Sequence, residues 1–453
     1  MLLNHSKIED VKWKKNKLST RNPYLVIISA FLVFLTIGTL LLYMPFSQKQ
    51  PTSFVDCLFF ATSAFTVTGL ATIDITQNFN TFGHIIIMIL VQSGGLGIIT
   101  LAMIVFIMLG RKVGLKSRSL ATEALNQQNL GGILRLVLKL LMISLIFESI
   151  VAILLALEWV PLLGWKRGLF NSFFTAVSAF NNAGFALHSD NLVQFKTNPV
   201  INFIITTLII IGGLGFTVIL DIYQKKKFTH LRLHTKIMIF GTVIVNTIAT
   251  LTIYLLEMNN MKTIGGHSTF DQFQMSYFQA ITTRTAGFNT VDIGAMNTST
   301  ILLMMLFMFI GGGSTSTAGG IKLTTAVVIF FGTISFIKQR EQISLFKKAI
   351  DTKYLFKSFA IVVLSSTFIF LITLALVIAE PDLPFLAVMF EVISAFGTVG
   401  LTMGITAKLS VVGKLLIILM MMIGKIGVLT IVLTFSKPQK ALYAYPKEDV
   451  LTG

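Results

Sequence analysis

Ser63-Ala64-Phe65-Thr66-Val67-Thr68-Gly69-Leu70 is the first of four related segments in the chain. It returns as Ser178-Ala179-Phe180-Asn181-Asn182-Ala183-Gly184-Phe185, then as Ile281-Thr282-Thr283-Arg284-Thr285-Ala286-Gly287-Phe288. A fourth copy is Ser394-Ala395-Phe396-Gly397-Thr398-Val399-Gly400-Leu401. The fixed point is a glycine followed by Leu or Phe. From Gly69 the successive intervals to Gly184, Gly287 and Gly400 are 115, 103 and 113 residues. A recurring period constrains architecture before any single motif does, and this one is too long for a solenoid unit. It predicts four related modules in one chain.

The surroundings say where those modules sit. Of 453 residues, 54% are hydrophobic and only 12% charged, whereas soluble domains carry roughly 25% charged residues. The composition predicts a polytopic membrane protein. The basic N-terminus leads into a full-length apolar run rather than a short cleavable signal. A net charge of +17 raises the question of nucleic acid. The basic residues instead fall in short loops between apolar runs, where they read as topology signals. The single cysteine, Cys57, rules out an intrachain disulfide and a cysteine-rich metal site.

Each module reads as a long apolar run, a short apolar segment, the glycine motif and a second long run. The first runs are Tyr24–Met44, Ile133–Leu157, Ile237–Leu256 and Tyr354–Ala379. The second runs are Phe82–Leu109, Val200–Tyr223, Thr300–Ile337 and Leu409–Phe435. Only the third of these is too long for one span, and Gly311 to Gly320 breaks it. That predicts eight spanning helices, each of roughly 20 residues. The short segments, Ser53–Phe65, Lys166–Phe180, Phe270–Thr283 and Pro384–Phe396, cannot cross and predict re-entrant helices. Non-helical backbone at membrane depth must be buried in protein or line a watery cavity.

The predicted fold is therefore an all-α polytopic membrane protein of four tandem helix–pore-helix–filter–helix repeats around a pseudo-fourfold pore. Residues 23–118, 119–224, 225–340 and 341–436 form the repeats. Residues 1–22 and 437–453 form the termini. Of the 36 Lys and Arg, 26 lie on one side, which places both termini in the cytoplasm. Residues 118–132 and 338–353 read as cytoplasmic helices or loops suited to docking a soluble partner. Lys49, Lys166, Arg167, Lys196, Lys262, Lys408 and Lys414 read as the sparse basic residues of the opposite side.

Four helix C-termini on one axis, each with roughly half a negative charge, favour cations. Rings of carbonyls replacing a hydration shell are how potassium filters work. Small-residue motifs also serve tight helix packing, but four copies in one context favour the filter. The run Gly311 to Lys322 is too rich in Gly, Ser and Thr to hold a straight helix. In the other second runs the matching places read Gly94-Gly95-Leu96-Gly97, Gly212-Gly213-Leu214-Gly215 and Gly424-Lys425-Ile426-Gly427. Lys425, Arg284 and Glu148 are charges at membrane depth, where charge is costly and usually paired or functional. For Arg284 a contact to the filter backbone competes with a direct role at the ion. Glu148 reads as a buried, hydrogen-bonded carboxylate.

From about residue 24 to 435 the chain resembles the Trk/Ktr/HKT superfamily of cation transporters, and within it the KtrB-type membrane subunits of bacterial Ktr potassium uptake systems. Thr66 to Leu70, Thr283 to Phe288 and the broken third-module helix carry the likeness. The resemblance implies ions held by backbone carbonyls of Val67, Thr68 and Gly69; Asn182, Ala183 and Gly184; Thr285, Ala286 and Gly287; and Thr398, Val399 and Gly400. Glycine at all four positions implies potassium selectivity. It also implies a gate made of Gly311, Gly312, Gly313, Ser314, Thr315, Ser316, Thr317, Ala318, Gly319, Gly320 and Lys322, with Lys425 against it. Further implications are a homodimer, a cytosolic ring of nucleotide-binding KtrA- or KtrC-like subunits, residence in the bacterial plasma membrane, and no covalently bound cofactor. Potassium is the cargo, with sodium as an activator or co-ion. No catalytic set is present, so no enzyme is expected. The rival readings are the potassium-binding subunit of an ATP-driven pump, a sodium/potassium carrier, and a membrane scaffold.

Overall fold

In the computed structural model, residues 23–97 and 133–435, with Pro446 and Glu448, are described. The expected N-terminus, the expected C-terminus apart from Pro446 and Glu448, the 118–132 segment and the end of the first module's second run lie outside the described residues. Long helices α1 (Pro23–Tyr43), α4 (Ile133–Leu163), α8 (Leu233–Glu257) and α12 (Thr352–Ala379) open the four modules. Each is followed by a short helix: α2 (Phe54–Thr66), α5 (Trp165–Phe180), α9 (Thr269–Thr282) and α13 (Phe385–Gly397). At 1.5 Å per residue these reach about 20–24 Å, short of the roughly 30 Å hydrocarbon core. After each glycine motif comes α3 (Thr81–Leu96), α6 (Pro199–Leu214), α10 (Thr298–Phe309) or α14 (Val411–Ile426).

Burial separates the two kinds of helix. Phe370 and Ile378 of α12 are 67% and 72% exposed, whereas every residue of α13 from Phe390 to Gly397 is buried. Apolar surface turned outward on this scale belongs against lipid, while the short helices form the interior. Serine hydroxyl caps fix where two of the short helices start. Ser53 accepts the amide of Asp56 and Ser268 that of Asp271, satisfying first-turn donors. Their far ends are held by aromatic packing. Phe65 lies 4.9 Å, ring to ring, from Phe31, and Phe180 6.4 Å from Phe147.

Two expectations need correction. The second runs are not straight outside the third module. Helix α6 meets α7 (Phe216–Lys225) at 91°, and α14 meets α15 (Val428–Phe435) at 93°. The hinges are Gly215 at φ +101° and Gly427 at φ +91°, and Gly97 ends α3 at φ +85°. Side-chain-bearing residues resist these angles, so the conspicuous glycines are bends as well as packing positions. Among the described residues, three helices are long and apolar enough to cross a membrane, or five when each bent pair counts as one. Residues 338–353 are neither a helix nor a plain loop. After α11 (Leu323–Ile337) they contain an antiparallel hairpin, β1 (Ile343–Leu345) with β2 (Lys348–Ile350). Phe346 and Lys347 turn it at φ +48° and +60°, the positive pair that two-residue hairpins favour.

Candidate functional site

The four glycine segments share one backbone signature. The residue two before each glycine is left-handed: Val67, Asn182, Thr285 and Thr398 have φ of +60°, +59°, +68° and +48°. Gly69, Gly184, Gly287 and Gly400 follow at +92°, +71°, +74° and +92°. Non-glycine residues rarely adopt such angles, and four at matching positions mark an imposed conformation. The segments also meet in order. A Cβ built on Gly69 would lie 2.4 Å from the Ala183 carbonyl oxygen, and one on Gly184 2.8 Å from that of Ala286. One on Gly287 would lie 2.3 Å from the Val399 oxygen, and one on Gly400 2.0 Å from that of Thr68. Each glycine thus presses on the carbonyl just ahead of the next copy's glycine, and the fourth copy closes on the first. The twelve residues named from the sequence as ion ligands are brought together here, where α2, α5, α9 and α13 end.

Hydrogen bonds hold these strands to the short helices. The Thr68, Ala183 and Val399 amides donate to the Ser63, Ser178 and Ser394 carbonyls at 2.8, 2.7 and 2.8 Å. The Ser63 and Ser394 hydroxyls accept the Gly69 and Gly400 amides at 3.0 and 3.1 Å. Behind them, glycines of the following helices make room. A Cβ at Gly94, Gly212 or Gly424 would come within 1.9, 1.9 or 2.0 Å of the Phe65, Phe180 or Phe396 carbonyl oxygen.

The Gly311–Lys322 segment lies between copies two and four. The Gly313 amide donates to the Gly213 carbonyl at 2.8 Å, and the Phe216 amide to that of Thr315 at 3.1 Å. A Cβ on Gly319 would meet the Thr398 hydroxyl at 2.2 Å. Three cationic side chains reach its carbonyls. Lys322 Nζ donates to Ala318 at 2.6 Å, Lys425 Nζ to Thr317 at 2.7 Å, and Arg284 Nη2 to Gly311 at 3.3 Å. Arg284 also donates to Asn246 Oδ1 at 3.2 Å. The arginine beside the third segment therefore contacts the root of the loop. Glu148 is buried and accepts from Asn181 Nδ2 at 3.4 Å. That amide also donates to Gln92 Oε1 at 2.6 Å.

Other charges escaped the sequence reading. Glu257 accepts from Thr300 Oγ1 at 2.5 Å and from the Asn297 amide at 2.8 Å. Glu380 accepts the Ser410 amide at 2.7 Å. Each ties the end of a first helix to the start of the same module's second helix. Glu391, inside α13, is fully buried and accepts from Thr402 Oγ1 at 2.7 Å and from Thr406 Oγ1. Lys414, counted among the sparse basic residues of the opposite side, sits in the first turn of α14 and pairs with Asp56 at 2.6 Å. Position at the very end of an apolar run was the available signal for Glu257 and Glu380.

Residues 2–445 match the family described as TrkH, cation transport protein. This chain belongs to that family. The TrkH match is supported by a chain from Bacillus subtilis named Ktr system potassium uptake protein B, 45% identical over 95% of this chain and 97% of that one. The protein of the same name from Vibrio alginolyticus is 41% identical over 97% of both. The potassium/sodium uptake protein NtpJ of Enterococcus hirae is 33% identical over 97% of this chain and 99% of its own. The crystal structure of the potassium transporter TrkH from Vibrio parahaemolyticus matches with a TM-score of 0.75. It covers 93% of this chain and 86% of that one at 20% identity, which shows a shared fold. TrkH-family members are cation transport proteins and not enzymes.

Proposed function

We propose that this chain takes up potassium through the ring of four glycine segments, with the Gly311–Lys322 loop as its gate. The closed contact order of the ring carries this reading. Four copies meet head to neighbour, and the fourth returns to the first. Successive carbonyls around such a ring can replace an ion's hydration shell, and four short-helix C-termini add cation-favouring dipoles. The filter ligands are the carbonyls of the twelve residues named above. In this reading each bent or interrupted second helix is one span, which restores eight spans in four repeats.

The loop sits under the ring and is held from outside by Lys425, Arg284 and backbone bonds to the second module, so it blocks the path until those contacts release it. A membrane potential drives the ion inward with about 2.3 kcal/mol per charge per 100 mV. The relatives named Ktr system potassium uptake protein B support a place in a multi-component system; in this reading the chain assembles as a homodimer on a cytosolic nucleotide-binding ring, with both termini cytoplasmic in the plasma membrane. The relative named for potassium and sodium keeps sodium as a co-ion or activator. Flux into proteoliposomes holding the purified chain tests the filter. Gly69→Ser places a side chain against the Ala183 carbonyl and should cut potassium-over-sodium preference about tenfold, or roughly 1.4 kcal/mol. An unchanged preference sinks the filter assignment.

A further inference from the structure

A cleft of about 720 Å³ opens at the end of the bundle where the short helices begin. It lies between the first two modules and touches residues that follow both of their glycine segments, among them Thr76 and His188. That volume suits a small organic ligand or a lipid headgroup. Three cationic side chains, Lys49, Lys166 and Arg167, line it together with Asn171, His84 and His188. We propose that this cleft binds a phosphate-bearing anion, carried on a lipid headgroup or free in solution.

The charge balance points that way. Among the described residues neither Lys166 nor Arg167 has a carboxylate within ion-pair distance. Lys49 donates to the Thr76 carbonyl at 2.8 Å. The acid near it, Asp74, is taken up by Thr76 and Gln77, whose side chains donate to it. Asp190 is exposed and lies beside His188. Lys166 and Arg167 occupy the first turn of α5, whose N-cap is Gly164 with no side-chain cap. A helix start left uncapped by any side chain and carrying two cations is a strong electrostatic match for phosphate oxygens. A further polar group lies at the cleft. His188 Nδ1 bonds Gln194 at 2.7 Å, while its Nε2 is buried and has no partner.

The flanks favour the lipid source. Trp165 is 72% exposed and Leu162 66% exposed beside the two cations. An aromatic ring and basic side chains at one level are the usual arrangement at headgroup depth. The site goes beyond the transport reading and needs only that the chain sits in a membrane.

Native mass spectrometry of the full-length chain tests it, with added phosphatidylglycerol, diacylglycerol of the same tails, and excess inorganic phosphate in parallel. The expected result is retention of phosphatidylglycerol but not diacylglycerol. Retention should fall on the order of tenfold in the Lys166→Gln/Arg167→Gln double variant, as charge-assisted contacts predict, and should hold in Lys262→Gln. If phosphate alone displaces the lipid and raises the unfolding temperature of the wild type but not of the double variant, the site stands with free phosphate as its occupant. Equal retention of diacylglycerol, or unchanged phosphatidylglycerol retention with no phosphate effect in a folded double variant, overturns the site. None of these readouts depends on ion flux.

Discussion

The third module shares the backbone signature of the other three at its glycine but departs from them around it, and the departures are of one kind. In modules one, two and four a phenylalanine stands four residues before the glycine, and in module three Thr283 takes that place. The Ala286 amide bonds the Thr282 carbonyl at 3.1 Å, a tighter turn than the five-residue reach of the other copies. A glycine seats the following helix on the short helix in modules one, two and four. In module three the helix stops at Phe309, and the chain resumes helical form only at Leu323. Three modules use rigid close contacts. The third uses a loop held by long cationic side chains, and such contacts can be released one at a time.

Substitutions separate the rigid modules from the loop-bearing one. Gly212→Ala drives a methyl group into the Phe180 carbonyl, 1.9 Å away. It should cost about 3 kcal/mol or more of stability, read as lost yield of folded protein and a lower unfolding temperature. If the variant is as stable as the wild type, the rigid half of the contrast fails. Deleting Gly312 to Gly319 should leave the fold intact and raise potassium flux without a partner by far more than tenfold. Flux that is lost or unchanged counts against a gate. Lys425→Gln removes one charged donor from the Thr317 carbonyl. It should raise flux about ten- to a hundredfold, since such a bond contributes roughly 1.5–3 kcal/mol. The smallest effect belongs to Thr217→Val, which loses the 2.9 Å contact to the Thr315 hydroxyl. A neutral bond contributes about 1 kcal/mol, so flux should rise about fivefold, measured against the same proteoliposomes.

What could be read beforehand follows from which signals are local. The four segments were legible because glycine followed by Leu or Phe recurs within short apolar segments, and the short helices were placed to within a residue or two. Arg284, Lys425 and Glu148 stood out because hydropathy isolates a charge in an apolar run. The bends at Gly215 and Gly427 were not legible as bends. The residues on either side are apolar, so each pair of helices reads as one continuous span. The ion pair of Lys414 was not legible because its partner Asp56 is 358 residues away. Glu391 hid within a short helix whose hydroxyl donors, Thr402 and Thr406, come from beyond the glycine. The hairpin at 343–350 carries Phe346 and Lys347 in its turn instead of the Asn-Gly or Asp-Gly that announces one.

The ring closes only when Gly400 reaches the Thr68 carbonyl, and the Asp56–Lys414 pair seals the same seam. During synthesis the first segment must therefore wait in the membrane through most of translation. Until then its carbonyls face an incomplete wall, and the loop that finally closes runs from Thr68 to Gly400. Closing so long a loop is entropically slow. A nascent chain arrested before the fourth copy emerges should be more exposed to quality-control proteolysis than one arrested after it.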